Sequence, residues 1–210
     1  MALRSFAEIA KRPLSVLLLQ VDAEPLLWKE TLEDIRAANR AGIEVNGQVG
    51  CRPIGILMGF ETSVHPFLTH PAWCELEALS PAERIAELKR DPSRRRRLVE
   101  ERPDDTHTQW MQNSLSKWYD LGHPPNYEPD PSQSIAARAD RSGESPWALA
   151  LDTLLGDDGN AFLLFPFENY SSGNLEVVRE MLLDEHTICG LGDAGAHVAT
   201  ICDASYPTFL

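Results

Sequence analysis

The chemically richest stretch of the sequence is GLGDAGAHVATICDASYPTFL, from Gly190 to Leu210. Asp193 stands among small residues, His197 follows four residues later, and Asp203 six residues after that. Two carboxylates and an imidazole over so short a span suit a general-base site, and the glycines beside Asp193 let substrate or a bound water come close. The same pattern also fits a structural role, in which Asp193 caps a helix that begins near Ala194.

The residues before this stretch alternate between apolar runs and amphipathic segments. LSVLLLQ (14–20) predicts a buried parallel strand, residues 25–42 a helix that stops at Gly42, and IEVNGQV (43–49) the next strand. Further on, AFLLFPF (161–167) predicts a strand, residues 173–186 an amphipathic helix, and TICGLGD (187–193) a final strand. This alternation predicts an α/β fold with a parallel sheet.

Polar residues follow the predicted strands, namely Gln20, Gln48, Glu168 with Asn169, and Asp193. In barrels and in doubly wound open sheets alike, chemistry sits at the carboxyl ends of parallel strands. Neither GxGxxG nor GxxxxGK[ST] follows any of these strands, so the nucleotide-binding form of the open sheet lacks its usual signature. The sequence therefore favours a barrel segment.

The middle of the chain has helical signals and a proline-rich stretch. SPAE predicts a helix with Ser80 as N-cap and Glu83 in the capping-box position, and a second helix follows Asp91. From Pro103 to Pro146 prolines are dense and short segments alternate, which predicts an insertion on the main scaffold.

Composition and charge exclude several classes of protein. A net charge of -13 repels phosphate backbones and anionic membrane surfaces, so neither nucleic acid nor membrane is expected as a partner. The run RRRR (94–97) is interpreted as a solvated helical face, with a phosphate contact as the alternative. No apolar run reaches the roughly 18 residues of a transmembrane helix.

The cysteines are scattered and form no CxxC pair: Cys51, Cys74, Cys189 and Cys202. This spacing favours reduced thiols over a disulfide framework or a zinc knuckle, and it predicts a cytoplasmic protein.

The C-terminal segment TICGLGDAGAHVATICDASYPTFL resembles the last-strand motif of the D-aminoacylase-like branch of the amidohydrolase superfamily, which includes N-acyl-D-amino-acid deacylases. VLLLQ, WKETLEDIRAANRAGIEVNGQVGCRPIGILMGF, HPFLTHPAW and FENYSSGNLEVVREML resemble segments of the same branch in the same order. The resemblance implies one partial (β/α)8 TIM-barrel domain over residues 1–210, roughly strands five to eight, with 103–146 as the insertion. It also implies hydrolysis of a non-peptide amide in a small-molecule N-acyl amino acid or a related compound.

The family chemistry assigns roles to particular residues. A divalent metal, usually zinc, lowers the pKa of a bound water, and the aspartate that ends strand eight accepts its proton; Asp193 matches that aspartate. The same aspartate then protonates the leaving amine. His197, Arg52, Asn169 and Tyr170 are candidate substrate-binding residues, with Arg52 suited to a bidentate contact with a carboxylate. Arg52 could equally cap a carbonyl, while Asn169 and Tyr170 could pack or turn the loop.

The metal ligands of the family are not evident in this sequence. The first-strand HxH pair is absent, and Gln20 and Gln48 stand where the fifth and sixth strands would each end in a histidine. A neutral amide binds zinc poorly compared with imidazole or thiolate. His65 and His70 are alternative ligands, but a proline follows His65 and His70 alike, which indicates an extended loop. No metal ligand is therefore assigned in this chain.

Length bears on the expected context. A closed eight-stranded barrel takes about 250 residues, so this chain is expected to belong to a larger enzyme. A half-barrel that pairs with the missing half or with another copy is the alternative. A second functional hypothesis is a non-catalytic or degenerate barrel fragment that serves as a binding or assembly module. Gln20 and Gln48 favour the module, whereas Asp193 and His197 favour the enzyme.

Overall fold

The structure, a computed structural model, describes residues 2–190, 192, 200–201 and 206–208. The chain divides into two compact units. Unit 1 contains the described residues of Met1–Gly55, Pro166–His197 and Cys202–Leu210. Unit 2 contains those of Ile56–Phe165 and Val198–Ile201. Asp193, His197 and Asp203 lie outside the described residues.

The α-helices are α1 (Ala2–Ala10), α2 (Leu27–Arg40), α3 (Pro71–Cys74), α4 (Pro81–Arg90), α5 (Pro92–Glu100), α6 (Thr106–Ser114), α7 (Ile135–Ser142), α8 (Pro146–Leu154) and α9 (Glu176–Leu182). The strands are β1 (Leu14–Leu17), β2 (Val45–Val49), β3 (Ile54–Met58), β4 (Tyr119–Asp120), β5 (Leu163–Glu168) and β6 (Thr187–Cys189). Short 3-10 turns cover Leu115–Lys117, Pro131–Gln133, Asp157–Gly159 and Tyr206–Thr208. Within the described ranges, every helix is too short or too polar to cross a membrane.

A parallel three-stranded sheet forms the centre of unit 1. Its strand order is β1-β2-β6, and the register aligns Leu17 with Gln48 and Gln48 with Ile188. The predicted strand-helix-strand unit is confirmed. Helix α2 ends just before Gly42, which has a positive φ of 77°. One face of the sheet packs against α2 and α9 over an apolar core that includes Trp28, Leu32, Ile35, Val45, Val49, Val178 and Met181.

The opposite face of this sheet carries exposed apolar residues. Leu17 is 50% exposed and Ile188 51% exposed, and the half-buried Gln48 lies between them in the register. Parallel sheets are normally covered on both faces, so their strands are apolar on both sides. Here the burial alternates along β1 and β2, as it does in a sheet with one covered face.

The second sheet differs from the sequence-based expectation. Its strand order is β3-β5-β4, with β4 antiparallel to β5. The sequence predicts β5 in one parallel series with β2 and β6, but β2 pairs directly with β6. β3 was not predicted. Its apolar residues are almost entirely buried, and β5 pairs with β3 instead of with β2 or β6. The α/β class is confirmed, and the described strands form two small sheets rather than a closed barrel.

The helical signals in the middle of the chain are confirmed in unit 2. Glu83 Oε2 accepts hydrogen bonds from the Ser80 backbone N–H at 2.9 Å and from the Ser80 hydroxyl at 2.6 Å, which fixes the start of α4. Asp91 Oδ1 accepts from the Ser93 and Arg94 amides and caps α5.

The four-arginine run lies on α5 and contacts carboxylates. Arg94 and Arg97 each approach Glu75 at 2.7 Å, and Arg95 pairs with Asp152. These ion pairs neutralise much of the positive charge of the run. They favour the solvated helical face over a phosphate-binding patch.

Gly159 is a position where a side chain is expected to be strongly destabilising. It adopts a φ of 89°, and an added Cβ would lie 2.6 Å from Ile85 Cγ1. At Gly143, with a φ of 75°, an added Cβ would meet nothing within 4 Å. Gly143→Ala therefore measures the backbone cost alone, about 1 kcal/mol. Gly159→Ala is expected to lower the free energy of unfolding by about 1–3 kcal/mol more than Gly143→Ala, as measured by urea unfolding. Equal losses in the two variants would mean that the added Cβ does not clash with Ile85.

His70 makes unit 2 sensitive to acid. The side chain is fully buried, and its ring lies against Phe67 and Trp147. Glu101 favours the protonated imidazole, but its effect is smaller than that of burial. Burial, with a smaller contribution from Arg102, lowers the pKa of His70 to about 4. The unfolded chain binds this proton near its ordinary pKa of about 6.5, so stability is fully present above that pH and is lost as the pH falls towards 4.

His70→Leu removes this proton uptake. Between pH 7 and pH 4.5, the variant is expected to lose on the order of 2 kcal/mol less unfolding free energy than the wild type. Urea unfolding at the two pH values measures the difference, and His123→Gln, at an exposed histidine, is the control. An unchanged pH dependence in His70→Leu would mean that the imidazole is already hydrated in the folded state.

Candidate functional site

The ends of β1, β2 and β5 in unit 1 are connected through Asn169. The Gln20 N–H donates to Asn169 Oδ1 at 2.9 Å, and the Asn169 N–H donates to the Gln20 carbonyl at 2.8 Å. Asn169 Nδ2 donates to the Gly50 carbonyl at 3.5 Å. The Asn169 side chain is fully buried and its backbone has a φ of 58°, a conformation that asparagine tolerates better than most residues. Asn169 therefore links the segments that follow the three strands by hydrogen bonds.

Gln20 is buried at the same place, and its side-chain amide is engaged at both atoms. Oε1 accepts from the Ser171 N–H at 3.1 Å, and Nε2 donates to Ser172 Oγ at 3.1 Å. Gln48 is half-buried and donates from Nε2 to Ser15 Oγ at 2.8 Å. The two glutamines thus serve as hydrogen-bonding groups within unit 1.

These residues do not fit a zinc site. The Gln20 amide already has partners at both atoms, and neutral amides are weak zinc ligands. Among residues 2–190, 192, 200–201 and 206–208, no three His, Cys, Asp or Glu side chains are grouped as a metal site would need. Within these ranges, no side chain is therefore assigned to a metal.

Arg52 lies just beyond the end of β2 and is only 3% exposed. Its Cζ is 4.9 Å from the centroid of the Tyr206 ring, and the Tyr206 hydroxyl donates to the Pro53 carbonyl at 2.6 Å. The aromatic face stabilises the guanidinium charge in this buried position. Arg52 stays a predicted substrate-binding residue, and the structure places it against Tyr206.

Tyr170 follows Asn169 in the chain and lies in the interior of unit 1, with 1% of its surface exposed. The predicted substrate-binding residues Arg52, Asn169 and Tyr170 are therefore all buried in one unit.

β6 ends at Cys189, before Asp193, and the Gly190 N–H continues the pairing by donating to the Val49 carbonyl at 2.9 Å.

An acidic pair at the same strand ends was not singled out from the sequence as an interacting pair. Val21 and Glu168 form an antiparallel bridge, and Asp22 Oδ1 accepts from the Ser171 hydroxyl at 2.6 Å. Burial raises the pKa of Glu168 above its ordinary value, and the Asp22 charge raises it further. Carboxyl groups whose pKa is raised by burial and by a neighbouring charge are candidates for acid-base chemistry. The sequence signal was that both acids follow predicted strands.

Two thiols also converge here without any motif in the sequence. Cys51 and Cys189 donate to the same carbonyl, that of Tyr206, at 3.2 and 3.9 Å. Burial and the neighbouring Cys189 raise the pKa of Cys51 to about 11, so it is a thiol at neutral pH. Cys51, Cys74 and Cys189 are free thiols, as the spacing predicted.

Comparison with known proteins yields no family model, no curated protein and no solved structure that matches this chain.

Proposed function

We propose that this chain is part of a larger amide hydrolase that acts on N-acyl amino acids, built on a partial (β/α)8 barrel. The observation that carries the proposal is the hydrogen-bonded convergence of Gln20, Gly50 and Asn169 at the ends of β1, β2 and β5. Barrel enzymes carry their chemistry at this edge. The resemblance of the segment containing Asp193 to the last-strand motif of amidohydrolases assigns the reaction.

The uncovered face of the β1-β2-β6 sheet supports the barrel part of the proposal. In a barrel, helices cover the outer face of the strands, while side chains from the other strands fill the interior. Leu17, Gln48 and Ile188 form an exposed row with two apolar side chains. Such a row fits the interior face of a barrel, which the remaining strands of the barrel would cover.

In the proposed reaction Asp193 transfers one proton. It accepts a proton from water as the water oxygen bonds to the amide carbonyl carbon. As the carbon-nitrogen bond breaks, Asp193 donates that proton to the leaving amine, so the products are a carboxylic acid and an amine. Zinc would supply a more acidic water, but the described residues include no group of side chains that fits it.

The experiment is a deacylation assay on the polypeptide encoded by the whole reading frame that contains these residues. N-acetyl-D-leucine and N-acetyl-L-leucine are supplied with and without added zinc, and free leucine is quantified. Release of leucine supports the proposal, with faster release from the D isomer supporting the D-aminoacylase-like assignment. No release from either isomer under all conditions contradicts it.

The non-catalytic module is the second candidate, and one observation favours it. The Gln20 amide is buried and hydrogen-bonded at both its oxygen and its nitrogen, at a position where a hydrolase of this family would expose a metal ligand. A module of this kind would bind its partner without turnover. Zinc content measured together with leucine release separates the two functions.

A further inference from the structure

Unit 2 contains a cleft that plays no part in the proposed reaction. Its volume is about 510 Å³, and its lining residues all fall between Phe60 and Asn160. Apolar walls with a few convergent polar groups are typical of small-molecule sites. The lining includes Phe60, His65, Leu68, Trp73, Arg84 and Ile85.

The back wall of the cleft is a rigid aromatic cluster. Phe60 and Trp73 stack with centroids 4.9 Å apart, and the His65 ring meets Trp73 edge-on at 4.7 Å. His65 Nδ1 accepts a hydrogen bond from the Phe67 N–H at 3.3 Å. Burial lowers the pKa of His65 to about 3, so the imidazole is neutral at pH 7. Because Nδ1 accepts the Phe67 hydrogen bond, the single ring proton is assigned to Nε2. His65 thus brings a hydrogen-bond donor to the wall.

Arg84 is held in a fixed position in this cleft. Its Nε donates to the Leu79 carbonyl at 3.0 Å and its Nη2 to the Glu77 carbonyl at 2.8 Å. The guanidinium also lies over Trp73, with Cζ 5.7 Å from the ring centroid. A guanidinium already ordered by two carbonyls loses little conformational freedom when it binds an anion.

The charge of Arg84 is not neutralised within the part of the chain that the structure describes, where it forms no ion pair with a carboxylate. Arg90, on the same helix α4, does pair with Glu87. At the rim of the cleft, Asp158 is bound by Lys89 at 2.6 Å, so its negative charge is offset. The cleft therefore combines one ordered cation with an apolar wall that includes Leu68, 37% exposed, and Ile85.

We propose that this cleft binds a small organic carboxylate, with the carboxylate on Arg84 and His65 Nε2 and the apolar portion against Leu68 and Ile85. Charge-assisted hydrogen bonds to guanidinium are roughly twice as strong as neutral ones, and the planar fork matches a carboxylate. The site lies in unit 2, so it stands independently of the hydrolase assignment in unit 1.

Benzoate is the probe for the test, with benzamide as the neutral analogue and benzylamine as the cationic one. We expect saturable binding of benzoate by calorimetry or ligand-observed NMR, at least about tenfold tighter than that of benzamide. Equal affinity for benzoate and benzamide, or preferential binding of benzylamine through Glu61 and Asp158, would overturn the proposal. Absence of saturable benzoate binding would also overturn it.

Two substitutions locate the binding site. Arg84→Gln should weaken benzoate binding about tenfold, whereas Arg90→Gln on the same helix should leave it unchanged. Ala82→Glu places a negative charge at an exposed lining position and leaves Arg84 in the sequence. It should weaken benzoate binding by repulsion, so it tests the site even if Arg84→Gln perturbs folding. Ala82→Gln is its neutral control. Unchanged binding in Ala82→Glu and in a folded Arg84→Gln variant would place benzoate outside this cleft.

Discussion

Asp193→Asn is expected to lower the rate of amide hydrolysis about 10²- to 10⁴-fold, because asparagine has no carboxylate to accept the proton of the attacking water. The side chains are nearly equal in size, so folding should be retained. Initial rates of leucine release from N-acetyl-D-leucine by the polypeptide encoded by the whole reading frame measure the effect. Circular dichroism and a thermal unfolding curve show whether the variant keeps its fold.

Asp157→Asn is the matched control for this loss. Asp157 is exposed in unit 2 and has a φ of 46°, a region that asparagine adopts readily. This variant makes the same chemical change at a residue that has no role in the proposed reaction, and it should keep the wild-type rate. Turnover by Asp193→Asn at the wild-type rate would remove the aspartate from the mechanism.

Asn169→Ala is expected to lower the free energy of unfolding by about 2–4 kcal/mol. The Gln20 N–H is buried and would lose its acceptor, which costs about 1–3 kcal/mol. Alanine at a φ of 58° adds backbone strain that asparagine largely avoids. Urea unfolding followed by circular dichroism measures the total.

Asn169→Gly separates the two causes, since glycine adopts a positive φ without strain but also lacks the acceptor. It should recover about 1 kcal/mol relative to alanine. A loss below about 1 kcal/mol in both variants would mean that the Gln20–Asn169 hydrogen bonds contribute little to the fold.

Local sequence signals predict the helices, strands and caps that depend on interactions between residues close together in the chain. The period of α2, the apolar runs of β1 and β2 and the Ser80 cap each depend on residues close together in the chain, and all are present. β3 was missed because its run is short and contains Gly55. α1 was also missed, although its apolar residues recur at helical spacing; it has only nine residues, and Phe6 and Ile9 are mostly exposed.

The contacts of the site could not be predicted in the same way. Gln20 meets Asn169 and Ser172 across about 150 intervening residues, and Arg52 meets Tyr206 across a similar separation. Such pairs depend on how two loops approach each other at a sheet edge, which neither period nor propensity specifies. The position of these residues at strand ends was predictable, but their partners were not.

In the proposed reaction water cleaves an amide bond, and isotope labelling detects that step directly. The polypeptide encoded by the whole reading frame is incubated with N-acetyl-D-leucine in ¹⁸O-enriched water, and the acetate and leucine are analysed by mass spectrometry. Hydrolysis predicts one ¹⁸O atom in each acetate released, an equal amount of free leucine, and little of either product with Asp193→Asn. Binding of the N-acyl amino acid with no labelled acetate would overturn the hydrolase assignment and favour the non-catalytic module.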